Sequence, residues 1–191
     1  MTFPRFLAPL MPLQASVQLQ VSPTGGGAAG SAQLTFSMQV QQQPNWCWAA
    51  NTSSVSTFFM PSSTWTQCSV ADQCLGGGCC AAPSSCNDIY TLDVPLSQTG
   101  NLNAPAFAGV DARANIQAQI DSGNPVCCHI SWAGGGGHFV ALSGYDWTTD
   151  DVIVNDPDSA YGPGPVPVPY DTFLSSYRGS GTWDYTYHTQ A

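Results

Sequence analysis

The chain contains neither lysine nor glutamate. Its charge comes from twelve aspartates against Arg5, Arg113 and Arg178, net −9, and charged residues are 8% of the total, where an ordinary soluble domain has about 25%. A chain so poor in cations is repelled by phosphate backbones and anionic lipid, which argues against nucleic-acid and membrane-surface partners. Long apolar runs are missing too. No stretch reaches the ~18–20 residues of a membrane span, and the apolar run from Phe6 to Leu13 is broken by Pro9 and Pro12. Residues 1–19 therefore make a poor signal peptide. Disorder is excluded by 43% hydrophobic residues with six Trp, seven Tyr and eight Phe. What remains is a soluble domain able to bury a sizeable core.

Cysteine, by contrast, is plentiful. There are eight, and Cys68, Cys74, Cys79, Cys80 and Cys86 fall within nineteen positions. That density points to an oxidising, secreted or extracellular destination and a cross-linked loop region. Zinc is disfavoured, since there is no C-x-x-C pair and no histidine nearby. At least two bridges are expected within or anchored to 68–86, with the adjacent pairs 79/80 and 127/128 not bonded to each other.

The pattern divides the chain into an N-terminal extension and Gly-rich linker (1–31), a strand plus helical, cysteine-rich half (32–124) and an antiparallel β half (125–191), an α+β layout. Weak alternation suggests a strand at 15–21. Strict alternation predicts a half-buried strand over 32–40, with Ala32, Leu34, Phe36, Met38 and Val40 on one face. A buried helix is expected over 46–60, ended by Pro61, with short helices at 67–74 and near Asp88. Asp111 reads as the cap of a helix over 112–121. Strands are expected at 126–131, 138–145, 152–155 and 182–187, with a short helix at 172–177.

Few groups can act as a general base. His129, mid-strand, and His188, near the end, read as structural or exposed. His138 differs. It follows four glycines (134–137) and opens an apolar strand, so it is either a hairpin feature or an imidazole beside room for a substrate backbone. Cys47, between Trp46 and Trp48, would sit in the first helical turn, where unpaired N–H groups and the dipole favour a nucleophilic thiolate; otherwise it is a small buried hydrophobe. Asn155-Asp156-Pro157 ends a strand and could orient an imidazole, or could simply be a turn. Asn51-Thr52-Ser53 matches a glycosylation sequon but falls inside the expected helix. Aspartates 150, 151, 156 and 158 lack EF-hand spacing.

Gln41-Gln-Gln-Pro-Asn-Trp-Cys47-Trp-Ala-Ala, Gly136-Gly137-His138-Phe-Val, Gly144-Tyr-Asp and Val154-Asn155-Asp156-Pro157 together resemble the papain-like cysteine peptidases. The match is to their bacterial branch of effector proteases, related to the double-glycine bacteriocin-processing peptidases. The resemblance implies a two-lobed papain-like fold whose cleft is shaped by Trp46, Trp48 and Trp132. It also implies a Cys47–His138–Asp156 triad and Gln41, six residues before Cys47, as an oxyanion-hole donor. The substrate would be a protein or peptide, the enzyme a monomer needing no metal or organic cofactor. The plant-type enzymes follow their orienting asparagine with Ser-Trp, which is absent here, so Asn155 stays a candidate. Asp156 is preferred because the bacterial branch uses the residue before proline. Acyl transfer or protein deamidation by the same residues, and a non-enzymatic, disulfide-rich binding module, are the alternatives.

Overall fold

A computed structural model describes residues 30–103 and 105–191. The strand expected at 15–21 and nearly all of the Gly-rich linker lie outside the described residues. In chain order the elements are β1 (Ser31–Gln33), α1 (Cys47–Phe59), α2 (Gln67–Leu75), a 3₁₀ turn (Pro83–Cys86), α3 (Asp93–Gln98), β2 (Phe107–Ala108), α4 (Arg113–Asp121), β3 (Val126–Trp132), β4 (Gly137–Asp146), β5 (Asp151–Asn155), β6 (Val166–Pro169), α5 (Tyr170–Ser175) and β7 (Gly181–His188).

Six strands form an antiparallel sheet in the order β2-β7-β3-β4-β5-β6, and β1 pairs with the far end of β4. From His138 to Tyr145, β4 is buried without interruption, as a strand covered on both faces must be; α1 and α4 both pack on it. Gly144 sits where β4 shifts register and β1 crosses it, and a Cβ there would strike the Ala32 carbonyl. The class is α+β, consistent with a papain-like fold.

The alternation over 32–40 reports burial faithfully but pairing poorly. Ala32, Leu34, Phe36 and Met38 are buried while Gln33, Thr35 and Ser37 are exposed. Only Ser31–Gln33 joins the sheet. Beyond it the extended chain crosses to α1, where the Gln39 N–H donates to Ser54 Oγ at 2.9 Å, and Val40 is 40% exposed. One-sided burial is enough to impose a period of two, whether or not the backbone finds a partner strand.

In α1 the residues from Cys47 to Ser56 are all buried, although the helix is rich in Ser and Thr. Those hydroxyls bond back one turn: Thr52 to the Trp48 carbonyl, Ser53 to Ala49, Ser54 to Ala50 and Thr57 to Ser53. These hydroxyls are thereby satisfied within the helix, while Asn51 Oδ1 stays buried without a partner. Asn51 donates to the carbonyls of Cys47 and Phe139, fastening α1 to β4, and its burial removes the sequon from use in the folded chain.

Two expectations need correction, and two strands were not foreseen. No helix forms at Asp88; the segment holds the 3₁₀ turn and, further on, α3. Asp111 does not cap α4, which begins at Arg113 after Ala112 with no side-chain cap. The Asp111 carboxylate is instead buried against His188 Nε2 at 2.6 Å and receives Asn115 Nδ2 at 3.2 Å, so a tertiary partner has displaced a local one. The two outermost strands, β2 and β6, carried no signal: β2 has two residues, and β6 reads Val-Pro-Val-Pro, which only an edge strand tolerates.

The cysteine-rich segment contains the disulfides Cys68–Cys80 and Cys79–Cys86. Cys47, Cys74, Cys127 and Cys128 are free. Burial pushes the Cys127 thiol up to about 12 and Cys128 well above its usual range, so both behave as small hydrophobes.

Candidate active site

The approach to α1 is held from two sides. The Gln41 N–H donates to the Pro157 carbonyl at 2.8 Å, and Trp46 N–H to Gln43. Asn45 donates two hydrogen bonds to Asn87, from its N–H to Oδ1 and from its side-chain amide to the carbonyl, the Trp46 indole donates to the Cys86 carbonyl at 2.6 Å, and Trp48 donates to the Asp88 carbonyl at 3.1 Å. The disulfide-bonded segment is therefore the wall against which the first turn of α1 is set. That turn has no side-chain cap, and its opening residue is Cys47.

His138, the second residue of β4, is buried beside it. Its Nε2 lies 2.7 Å from Asp156 Oδ1, and the Cys47 thiol is near enough to influence the ring electrostatically; with Nε2 held by Asp156, Nδ1 is the nitrogen left unbonded. Burial would lower the imidazole's proton affinity, but the hydrogen bonds and charges of Asp156 and Cys47 outweigh it and raise the pKa to about 9. Asp156 shows the mirror image. Burial opposes its ionisation, yet His138, the Asp158 N–H and the Tyr177 hydroxyl hold its carboxyl below the usual range.

Asn155 and Asp156 point apart. Asn155 is fully buried and donates to Ser143 Oγ at 2.7 Å, away from His138. Gln41 is close in sequence to the site but differently engaged: its Nε2 donates to the carbonyls of Gln43 and Pro44, at 3.2 and 2.6 Å. Among the tryptophans, Trp48 lines the cleft, Trp46 is buried beneath it, and Trp132 stacks on His138 with centroids 6.1 Å apart.

The cleft is about 1500 Å³. Cys47 and His138 open onto it, with Tyr90, Val94, Leu102 and Tyr185 among its walls. His129 also lines it, its Nδ1 2.7 Å from Asp184 Oδ1, and Ser131 Oγ bonds the other oxygen of Asp184. A β-bulge between His129 and Ile130 turns Asp184 toward that ring. The ring fills the space a Cβ on Gly137 would need, so Gly137 is required by packing, while Gly135 and Gly136 adopt positive φ in the β3–β4 turn. The hairpin reading of the four glycines holds at Gly135 and Gly136, while the space beside Gly137 is taken by the His129 ring. Sequence reasoning missed this His–Asp pair, which depends on β3 meeting β7, and also Tyr177 and Arg178 around Asp156, which a turn before β7 brings to the end of β5.

Among the described residues no group of three or more His, Cys, Asp or Glu could hold a metal ion, and no helix is long and apolar enough to cross a membrane. The family model described as the Peptidase_C39-like family matches residues 33–185. The chain belongs to the Peptidase_C39-like family. That is a family of papain-like cysteine peptidases, so the substrate class is protein or peptide. No curated protein matches the chain. The Peptidase_C39-like match runs from β1 into β7 and contains the cleft lining except Tyr187, the disulfide-bonded segment and the Asp156 environment.

Proposed function

We propose that this protein hydrolyses peptide bonds with Cys47 as nucleophile, His138 as general acid and base, and Asp156 as the residue that orients the imidazole. The observation that carries this reading is the convergence of the three groups: Asp156 fixes one ring nitrogen of His138 and leaves the other unbonded, near a thiol at an uncapped helix start, over a cleft. The thiolate attacks the scissile carbonyl, and the backbone N–H of Cys47 receives the developing oxyanion. His138 gives its proton to the leaving amine. Water then adds to the thioester, His138 takes its proton, and the sulfur leaves as thiolate with release of the carboxylic acid. Gln41 is the second oxyanion donor in this reading, and its amide must turn from the Gln43 and Pro44 carbonyls to act.

Cys47→Ala tests the assignment. The variant should fold normally and lose peptide cleavage; a variant that still cleaves overturns it. Ammonia release from glutamine side chains without backbone cleavage would instead identify a deamidase. The two disulfides support a secreted location, and thiol titration of the unfolded, unreduced protein checks them. Four of eight cysteines are expected to react, whereas eight would overturn both bridges and destination.

A further inference from the structure

Only three residues of this chain carry a permanent positive charge, and one of them is spent inside. The Arg178 side chain is 9% exposed and its guanidinium contacts Asp156 Oδ2. It also reaches Asp158 at 3.3 Å and lies under the Tyr161 ring, 3.1 Å from the centroid. The backbone is shaped for this: Arg178 has φ +51, a left-handed conformation disfavoured for any residue but glycine, in a turn closed by mutual hydrogen bonds between Tyr177 and Gly181. Asp156 is thereby surrounded. One oxygen accepts from His138 and the Asp158 N–H, the other from the Tyr177 hydroxyl, and it meets Arg178.

A neutral orienting amide needs no counter-ion, but a buried carboxylate does. While His138 is protonated it supplies that charge. In the hydrolytic half of the reaction proposed above His138 must be neutral to take a proton from water, and Asp156 would then be a buried, uncompensated anion. We infer that Arg178 is a positioning residue that keeps Asp156 ionised and in place through that half-reaction, while its own positive charge, close to the ring, lowers the proton affinity of His138. The titratable and charged groups facing the pair are Cys47 from α1, Asp158 after β5, Tyr161 before β6, Tyr177 and Arg178 before β7, and His129 of β3 with Asp184 of β7 across Gly137. Arg178 is the permanent cation in this set.

The inference rests on the peptidase reading, and an NMR titration of the histidine rings in the full chain separates the two. Arg178→Gln should raise the His138 midpoint by about one unit. It should move the alkaline limb of kcat/KM the same way and lower kcat about tenfold or more at neutral pH, with KM little changed. Arg178→Lys, which keeps the charge, should restore the wild-type midpoint. An unmoved midpoint in a folded Arg178→Gln protein overturns the inference. If that variant does not fold, the lysine variant decides: a midpoint near wild type upholds the inference and a raised one overturns it. A midpoint that shifts as expected in a protein that cleaves no peptide upholds the coupling and removes the peptidase reading instead.

Discussion

His138 is subject to two opposing influences, and which wins decides the working pH. Burial alone would leave the ring neutral, yet the Asp156 and Cys47 contacts raise its pKa to about 9. The leaving amine needs the protonated ring, so kcat/KM should fall as pH rises through about 9. A limb near pH 6.5, the ordinary histidine value, would show that the contacts do not form. Neighbouring Asn155 and Asp156 should separate cleanly. Asp156→Ala frees the imidazole to rotate and should lower kcat by on the order of 10² or more. Asn155→Ala removes a buried bond to Ser143 and should cost about 1–2 kcal/mol of stability with a much smaller effect on turnover. Paired kcat and melting measurements on both variants check this, and the reverse ranking moves the orienting role to Asn155. The choice was half legible in the sequence: alternation along a strand says that the two residues face opposite ways, but which face holds the imidazole depends on how β4 registers with β5. The partners of Gln41 were not legible, because a six-residue spacing locates a side chain without fixing its rotamer.

The disulfide-bonded segment matters to the site as much as to stability. Cys86 and Asn87 hold Trp46 and Asn45, so the Cys79–Cys86 bridge fixes the wall behind the helix that begins at Cys47. Breaking either bridge should cost about 2–3 kcal/mol for loops this short. Breaking Cys79–Cys86 by Cys79→Ser with Cys86→Ser should also lower activity well below the melting temperature, more than breaking Cys68–Cys80 does. Equal activity losses would show that the wall is held by α2 instead. At this scale the sequence was informative where one signal ruled. Burial and Pro61 bounded α1, and cysteine density marked the bridged loop, though not the pairing. It was least informative where tertiary contacts took over a local role, as at Asp111, whose carboxylate turns from the helix start to His188.

For the whole molecule, the same two groups set the pH range of stability. The raised pKa of His138 gives a contribution fully present below about 6.5 and lost as pH climbs through about 9. The depressed pKa of Asp156 gives one present above its ordinary value of 3.8 and lost as pH falls below it. The net −9 charge adds self-repulsion above the carboxylate range. Melting temperature should therefore peak between about pH 4 and 6.5 and decline toward 9; a rise over that upper interval contradicts the ionisation states assigned here. The overall layout, helices before an antiparallel sheet, was readable because periodicity changes from 3.6 to 2 after α4. The outer strands were not, since an edge strand buries too little to impose a pattern. The central claim is that Cys47 is the activated nucleophile of a peptidase, and mass spectrometry of the folded protein after treatment with a thiol-reactive epoxide tests it most directly. One adduct, on Cys47, with cleavage abolished is the expected result; an unmodified Cys47, or cleavage that survives its modification, would contradict the account.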